Sequence, residues 1–511
     1  MSRLPDGDSF LSAPPHALRA HLSEIDAETA QLRARPAFLA GKRESIVDAL
    51  QSVTYPSILA LPAEIVAEIF LNCVGSGYAR IGRADLELGI STQPLEPCAP
   101  LLLASACRRW REIALFLQPI WSSIDIQTAW TAMASAENIL ARWLPRTGTH
   151  PLTVSIRSFN SDLLSFLSPF MHKLQHFQCF IDAEQDLFPS KLCEERLTLL
   201  RRLDVASFVN DEDEGFEVDP SIHVTTFENC PLLRRVSLTS FPRDWISLPW
   251  ELLIHLELHE LYDDQCMEIL KDTLALETLV LSVLPSDGIS WGAAPLRLPH
   301  LHTLRFTRYQ SELDILTNID LPSLTHVDLA LMKRPGSLEP EVSENATHFQ
   351  DFVLRSACSL RSITLMCPTI EDTIACLRAA GRTLSVVKLQ DIYWHIRDLN
   401  RFMRTLKSAD FIPNLTSLAV GPCSSAIEVP YGDLAALLAF RRQDHGEGTA
   451  RLESFELVLG GSLPPNSPQP TLAELDDGLS ALRTLEDDGL KLDIRCLQKM
   501  TRAVLFSFAC S

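Results

Sequence analysis

The chain has 511 residues, of which 46% are hydrophobic and 22% charged, and its formal net charge is -20. So much dispersed apolar material excludes wholesale disorder, and an acidic surface repels phosphate backbones and anionic lipid, which argues against nucleic-acid and membrane-surface partners. The start of the chain lacks the apolar run of a secretory signal, and no stretch approaches the roughly 20 apolar residues of a membrane span, so the expected location is the cytoplasm or nucleus.

Residues 1–17, with Pro5, Pro14 and Pro15, read as a flexible arm. Over 18–55 a helical lead-in is expected. Leu18, Leu22, Ile25, Thr29 and Leu32 recur at steps of four and three, which places them on one helix face. Pro36 breaks or kinks this helix. The pattern then resumes through Leu39, Ile46, Leu50 and Val53, with Arg43 at one core-phase position. Packing on the following domain and weak self-association both fit such a stretch.

Residues 56–126 carry the most information. Leu61-Pro62-Ala63-Glu64-Ile65 opens a helix with proline in its first turn, where the missing N–H costs nothing, and Glu64 stands near the positive helix end. Leu61, Ile65 and Ile69 line up at i, i+4, with Val66, Phe70 and Cys73 beside them. A second helix is expected from Pro100, with Leu103, Cys107, Trp110, Ala114 and Leu117 on one face. Pro119-Ile120-Trp121 stops it. Gly75, Gly77 and Gly82 mark the stretch 75–97 between the two as an exposed insertion loop. Two amphipathic helices and a Trp-bearing third element are too small to stand alone, and such a piece needs a partner surface. Trp110 and Trp121 suit either a partner contact or a plain core position.

This segment resembles an F-box. The match runs through Leu61-Pro62-x-Glu64-Ile65, Ile69-Phe70, Cys107-Arg108-Arg109-Trp110-Arg111, Ile113-Ala114 and Ile120-Trp121. The connection 75–97 departs from the family by its length. A helical lead-in, an F-box with a loop and then degenerate repeats is an order that resembles the large F-box families of mushroom-forming fungi.

The last region is 127–511, and from Leu152 onward the chain repeats itself. A frame L-x-x-L-x-L, its residues numbered one to six here, occurs ten times with apolar variants. It runs from Leu200-Arg-Arg-Leu203-Asp-Val205, through Leu253-Ile-His-Leu256-Glu-Leu258 and Leu360-Arg-Ser-Ile363-Thr-Leu365, to Leu452-Glu-Ser-Phe455-Glu-Leu457. Successive starts lie 33, 20, 23, 25, 23, 36, 24, 31 and 37 residues apart. The middle values fall in the leucine-rich-repeat range, and the long ones imply inserted loops or extra helix turns. Positions four and six face inward from a short strand, the residues between them face out, and each unit's apolar edge requires a neighbour.

Helical connections are expected at Asp263 to Leu274 and Glu371 to Gly381. Pro231, Pro299, Pro322 and Pro413 are expected to end helices ahead of strands. The asparagine usual after such a strand is missing. Trp121 to Ile126 and Leu152 to Ile156 are expected to begin the stack, with a helix over Ala129 to Leu144 between them. The acidic run Asp211 to Glu214 reads as a solvated loop.

Catalytic and metal motifs fail on context. Gly288-Ile-Ser290-Trp-Gly292 fits a hydrolase nucleophile elbow in letters, but its flanks are turn-rich, without the strand and helix that chemistry needs. Gly75-Ser-Gly77 lacks the rest of a dinucleotide loop, and the histidines lack ligand spacing. The thirteen cysteines, odd in number and without a C-x-x-C pair, read as small buried hydrophobes in a reducing compartment.

The expected fold is therefore an α-helical F-box over 56–126 followed by an α/β leucine-rich-repeat-like solenoid, with no catalytic residue, metal or cofactor. The F-box resemblance implies docking on the Skp-type linker subunit of an SCF ubiquitin ligase. It assigns contact or support of contact to Leu61, Pro62, Ile65, Ile69, Phe70, Cys107, Trp110 and Trp121. The repeats would bind a protein substrate that the sequence does not name. A repeat scaffold that docks the linker without directing ubiquitination is the alternative.

Overall fold

The structure is a computed structural model that describes residues 22–23, 41–43, 45, 60–73, 99–126, 140–156, 167–182, 197–208, 223–284, 294–307, 313–331, 343–392, 394, 396–423, 431–443, 450–461 and 472–498. The insertion 75–97, the acidic run 211–214 and the 288–292 motif lie outside the described residues, as does most of the lead-in 18–55.

Residues 22–23, 41–43 and 45 are helical, and three short helices precede the first strand: α1 (Ala63–Cys73), α2 (Ala99–Ala106) and α3 (Arg108–Phe116). The single helix expected from Pro100 is in fact two. Cys107 adopts an extended conformation (φ -159°, ψ 169°) and its sulfur accepts the Trp110 amide at 3.4 Å. A residue with non-helical angles whose side chain takes an orphan N–H is an N-cap, so the chain restarts a helix there. A 3-10 turn at Gln118–Trp121 then leads into the first strand.

Fourteen parallel strands form one sheet, ordered as they occur in the chain. They are β1 (Ser123–Ile126), β2 (Leu152–Ile156), β3 (Leu174–Asp182), β4 (Arg202–Phe208), β5 (Arg235–Thr239), β6 (His255–Tyr262) and β7 (Thr278–Leu284). After the pair β8 (Leu296–Arg297) comes β9 (Thr303–Phe306), and after β10 (Ile319–Asp320) comes β11 (His326–Ala330). The set closes with β12 (Ser362–Met366), β13 (Val386–Gln390), β14 (Ser417–Cys423), β15 (Ser454–Gly461) and β16 (Lys491–Gln498). β8 and β10 pair with each other in a separate two-stranded sheet.

All ten frames are strands that begin two residues after the leading leucine. Their register stacks like on like: Leu203, Val236, Leu256 and Leu279 at position four, then Val205, Leu238, Leu258 and Leu281 at position six. These side chains are buried, and each is worth about 1.5–3 kcal/mol by transfer from water. Since no unit can cover its own edge, the parallel stack grows strand by strand, and one apolar core runs from Val66 to Leu490.

Two further units were hidden by substitutions within the frame. β3 carries Leu174-Gln-His-Phe177-Gln-Cys179, with Phe177 and Cys179 in register with Leu203 and Val205. In β16, Leu492 and Ile494 align with Phe455 and Leu457, but Gly489 stands where the leading leucine would, and Leu490 is buried instead.

The missing asparagine has a structural counterpart. At frame position eight Ser240, Glu260, Cys367 and Asp391 take left-handed backbone angles, φ 50°, 57°, 51° and 51°. Such angles disfavour residues with a Cβ, yet here they turn the chain so that Phe241, Leu261 and Ile392 at position nine are buried. An apolar side chain holds the turn that the asparagine would hold through hydrogen bonds.

What links the strands changes along the chain. The early, short connections use 3-10 turns such as Arg243–Trp245 and Trp250–Leu252. α4 (Asp263–Leu270) follows β6 and stops short of Leu274, because Thr273 bonds back to the Leu270 carbonyl. From β11 onward each connection holds a helix: α5 (Glu344–Ser356), α6 (Ile370–Ala380), α7 (Ile396–Leu406), α8 (Tyr431–Arg442) and α9 (Leu472–Asp487). Successive helices pack on one another. Arg441 of α8 reaches back to α7 and the turn after it, where it donates to the carbonyls of Leu406 (2.7 Å), Ile412 (3.1 Å), Ser408 (3.2 Å) and Phe411.

Three of the four prolines differ from expectation. Among the described residues, no α-helix leads directly into the turns that hold Pro231, Pro299 and Pro322, whereas Pro413 follows one. Between β1 and β2 the described residues 140–143 are helical, followed by a 3-10 turn at Leu144–Thr147.

Candidate partner-docking surface on the short helices

The sequence of α1 is apolar on almost every face, so burial must choose among its side chains. Val66 and Phe70 turn inward and are fully buried, while Ile65 is 50% exposed. Phe70 meets Trp110 of α3 edge to face, with ring centroids 5.2 Å apart. Arg109 donates to the Leu61 carbonyl at 2.5 Å and Arg111 to the Ala104 carbonyl at 2.9 Å, so both motif halves are tied together through α3.

Trp121 joins this helical group to the sheet. Its indole N–H donates to the Ala114 carbonyl at 2.7 Å, and its own carbonyl accepts from Trp143 at 2.8 Å. The two indoles pack edge to face at 4.8 Å, and the Arg146 guanidinium lies over the Trp121 ring at 4.6 Å. Trp121-Ser-Ser-Ile124-Asp-Ile126 is also a repeat frame: Ile124 and Ile126 are in register with Val154 and Ile156, and Trp121 holds the leading place. One residue thus ends the helices and starts the stack.

The eight residues singled out from the sequence separate by burial. Phe70 and Trp121 are withdrawn from water. Leu61, Ile69, Cys107 and Trp110 are half-buried, whereas Pro62 and Ile65 face outward. Sequence reasoning missed the most exposed apolar side chains of the region: Phe116 at 87% and Leu102 at 67%, with Leu71, Leu101 and Leu115 also exposed. Two signals were available. The run Ala99–Ala106 has no polar face to give to water, and neither Leu115 nor Phe116 can share the helix face of Trp110, Ala114 and Leu117.

No family model matches this chain. No curated protein matches it either.

Two side-chain constellations resemble catalytic ones in part. His223 Nε2 lies 2.9 Å from Ser247 Oγ, and its Nδ1 lies 2.7 Å from the Asp244 carbonyl. A nucleophile–base pair also needs free donors for an oxyanion. The nearby amides of Ser247 and Ile246 are committed to the Val224 and Arg243 carbonyls, so the pair serves as a clip across the Val224–Ile246 bridge.

On the outward face, His176 Nε2 bonds Asp204 at 2.8 Å, and Arg202 holds both carboxylate oxygens at 3.0 Å. The thiol of Cys179 is near, but burial, with the Asp204 charge adding, pushes its pKa far up, which is the reverse of nucleophile activation. Among the described residues, no group of three or more His, Cys, Asp or Glu could hold a metal. Nor is any described helix long and apolar enough to cross a membrane.

Proposed function

We propose that the chain is a substrate-receptor subunit of an SCF-type ubiquitin ligase. In this reading α1–α3 form an F-box that docks on the Skp-type linker subunit, and the sheet is a leucine-rich-repeat-like solenoid that presents a protein substrate. The chemistry belongs to the ubiquitin-carrying enzyme elsewhere in the complex.

One observation carries the reading. Twelve large apolar side chains stand exposed among the described residues, and six of them (Ile65, Leu71, Leu101, Leu102, Leu115 and Phe116) belong to these three short helices. Elsewhere on the molecule exposed apolar residues are scattered, which is ordinary. Concentration in a small element whose other side chains are already packed among the helices and on the 3-10 turn marks a surface meant to be covered.

The test is co-expression with the linker and a cullin. The expected result is a ternary complex that Leu61→Ala/Pro62→Ala weakens while the protein stays folded, with substrate turnover lost on deletion. Unchanged capture by that folded variant would place the interface elsewhere. Linker binding without cullin recruitment would favour a non-ubiquitinating scaffold.

A further inference from the structure

The outward face of the large sheet is not uniformly open. In β3 to β7, His176, Gln178, Ala206, Glu257, Val280 and Ser282 point away from the leucine core and are nevertheless buried. In β13 to β16 the corresponding positions are open. There Val386, Ser417, Ser454 and Lys491 form one row across the strands, and Lys388, Ala419, Glu456 and Asp493 form the next.

Side-chain size cuts a trough into this area. Down β14 the outward residues are Ser417, Ala419 and Gly421. The glycine is required, since it has φ +134° and a Cβ there would lie 2.2 Å from the Val458 carbonyl oxygen. Beside Ser417 and Ala419 lies a hollow of about 330 Å³, lined by residues of β13 to β16, among them Lys388, Glu456, Lys491 and Asp493, and by Glu486 of α9. Its floor is hydroxylic, with Ser454 Oγ donating to Ser417 Oγ at 2.7 Å.

The flanks are charged, with opposite signs. Lys388 stands on β13 and Glu456 on β15, two strand spacings apart, or about 10 Å at the backbone. Several other charges on this face are matched internally: Arg305 with Asp328 at 3.1 Å, Arg202 with Asp204 at 3.0 Å, Arg495 with Asp493. Lys388 and Glu456 have no ion-pair partner among the described residues. The trough is one strand wide, with Lys388 on one side and Glu456 on the other, and Lys491, Asp493 and Glu486 complete its charged lining. The Lys388 and Glu456 flanks complement a chain whose neighbouring side chains diverge and carry opposite charges.

We infer that this trough holds an extended protein segment in which an acidic side chain meets Lys388 and the adjacent basic side chain meets Glu456. The alternation of an extended chain sends successive side chains to opposite sides, and Ser417 and Ser454 offer hydroxyls to its backbone. The inference rests on the reading of the sheet as the substrate-presenting part of an adaptor, and it gives that substrate a chemistry.

The experiment titrates the full chain, without linker, against short Gly/Ser peptides carrying Glu-Lys, Lys-Glu, Glu-Glu or Lys-Lys pairs. Mixed pairs are expected to bind, with one order preferred. Lys388→Glu and Glu456→Lys should each weaken binding about tenfold or more, and the double charge swap should restore it with the opposite order preferred. Both side chains reach solvent, so the variants keep their folds, which an unchanged melting temperature verifies. Equal binding of Glu-Glu peptides, displacement by inorganic phosphate, no advantage over plain Gly/Ser peptides, or indifference to the variants would each overturn the inference. Linker capture by the same preparations is a separate readout, so failure of the trough and failure of the adaptor reading are distinguishable.

Discussion

In the sheet, leucine and phenylalanine at the inward frame positions are almost wholly withdrawn from water, whereas in the short helices Leu102 and Phe116 stand 67% and 87% exposed. The two regions use the same residue types under different constraints. A strand in the stack has neighbours on both sides, and its inward side chains are covered by the units before and after it. Among the described residues α2 and α3 pack on each other, on α1 and, through α3, on the 3-10 turn, and one apolar side is left exposed. Burial in the first region is a stability device. Exposure in the second costs little stability and makes sense as an interface held in reserve.

The comparison can be broken most severely in the core. Phe306→Ala empties a fully buried position in register with Leu281 and should cost about 3–5 kcal/mol, read from the denaturant midpoint. A loss below about 1 kcal/mol would mean that the stack is not continuously packed there.

Arg441→Ala comes next. It removes the donors for four carbonyls at the end of α7 and should cost about 1–3 kcal/mol. Stability equal to the parent's would show that water replaces those bonds freely.

A smaller effect is expected on the alkaline side. Burial pushes the Cys230 thiol from 9.0 up to about 12 and, with help from the Asp320 charge, the Cys358 thiol to about 11. Below about pH 9 both folded and unfolded chains keep these protons. Above it the unfolded chain releases them first, so stability falls as pH rises from 9 towards 11 and 12. Comparing the denaturant midpoints of the parent and Cys230→Ala across that window should show a shallower decline in the variant. Parallel declines would assign the loss to other groups.

The smallest effect sharpens the contrast directly. Leu102→Ser and Phe116→Ala should change stability by no more than about 0.5 kcal/mol, measured by the same unfolding curves. Losses comparable to that of Phe306→Ala would show that these side chains belong to the core after all.

Most of the sheet was legible because its physics is local. Position four and position six leucines announce their own strand, and register follows once they stack. The units that escaped notice are those where another residue type meets the same demand: Phe177 and Cys179 in β3, or Gly489 displacing the leading leucine before β16. The turn after each strand was opaque, since left-handed backbone at Ser240, Glu260, Cys367 and Asp391 leaves no signature in side-chain chemistry.

The helical region was half legible. Spacing identified Phe70 and Trp121, both of which are buried. It missed Leu102 and Phe116, although the run Ala99–Ala106 without a polar face and the off-face place of Phe116 both signalled excess apolar surface; which part of that surface stays open depends on what lies opposite. The break at Cys107 is of the same kind, for an uninterrupted apolar spacing conceals a change of backbone angle at a single residue.

The most direct measurement is calorimetric titration of the purified linker subunit into the parent chain and into the Leu102→Ser/Phe116→Ala double variant. Burying two such side chains is worth about 1.5–3 kcal/mol each, and every 1.4 kcal/mol is tenfold in affinity. The account predicts tight binding by the parent and a loss of about a hundredfold or more in the variant, with its melting temperature unchanged. No binding by the parent, or equal binding by both proteins, would contradict it.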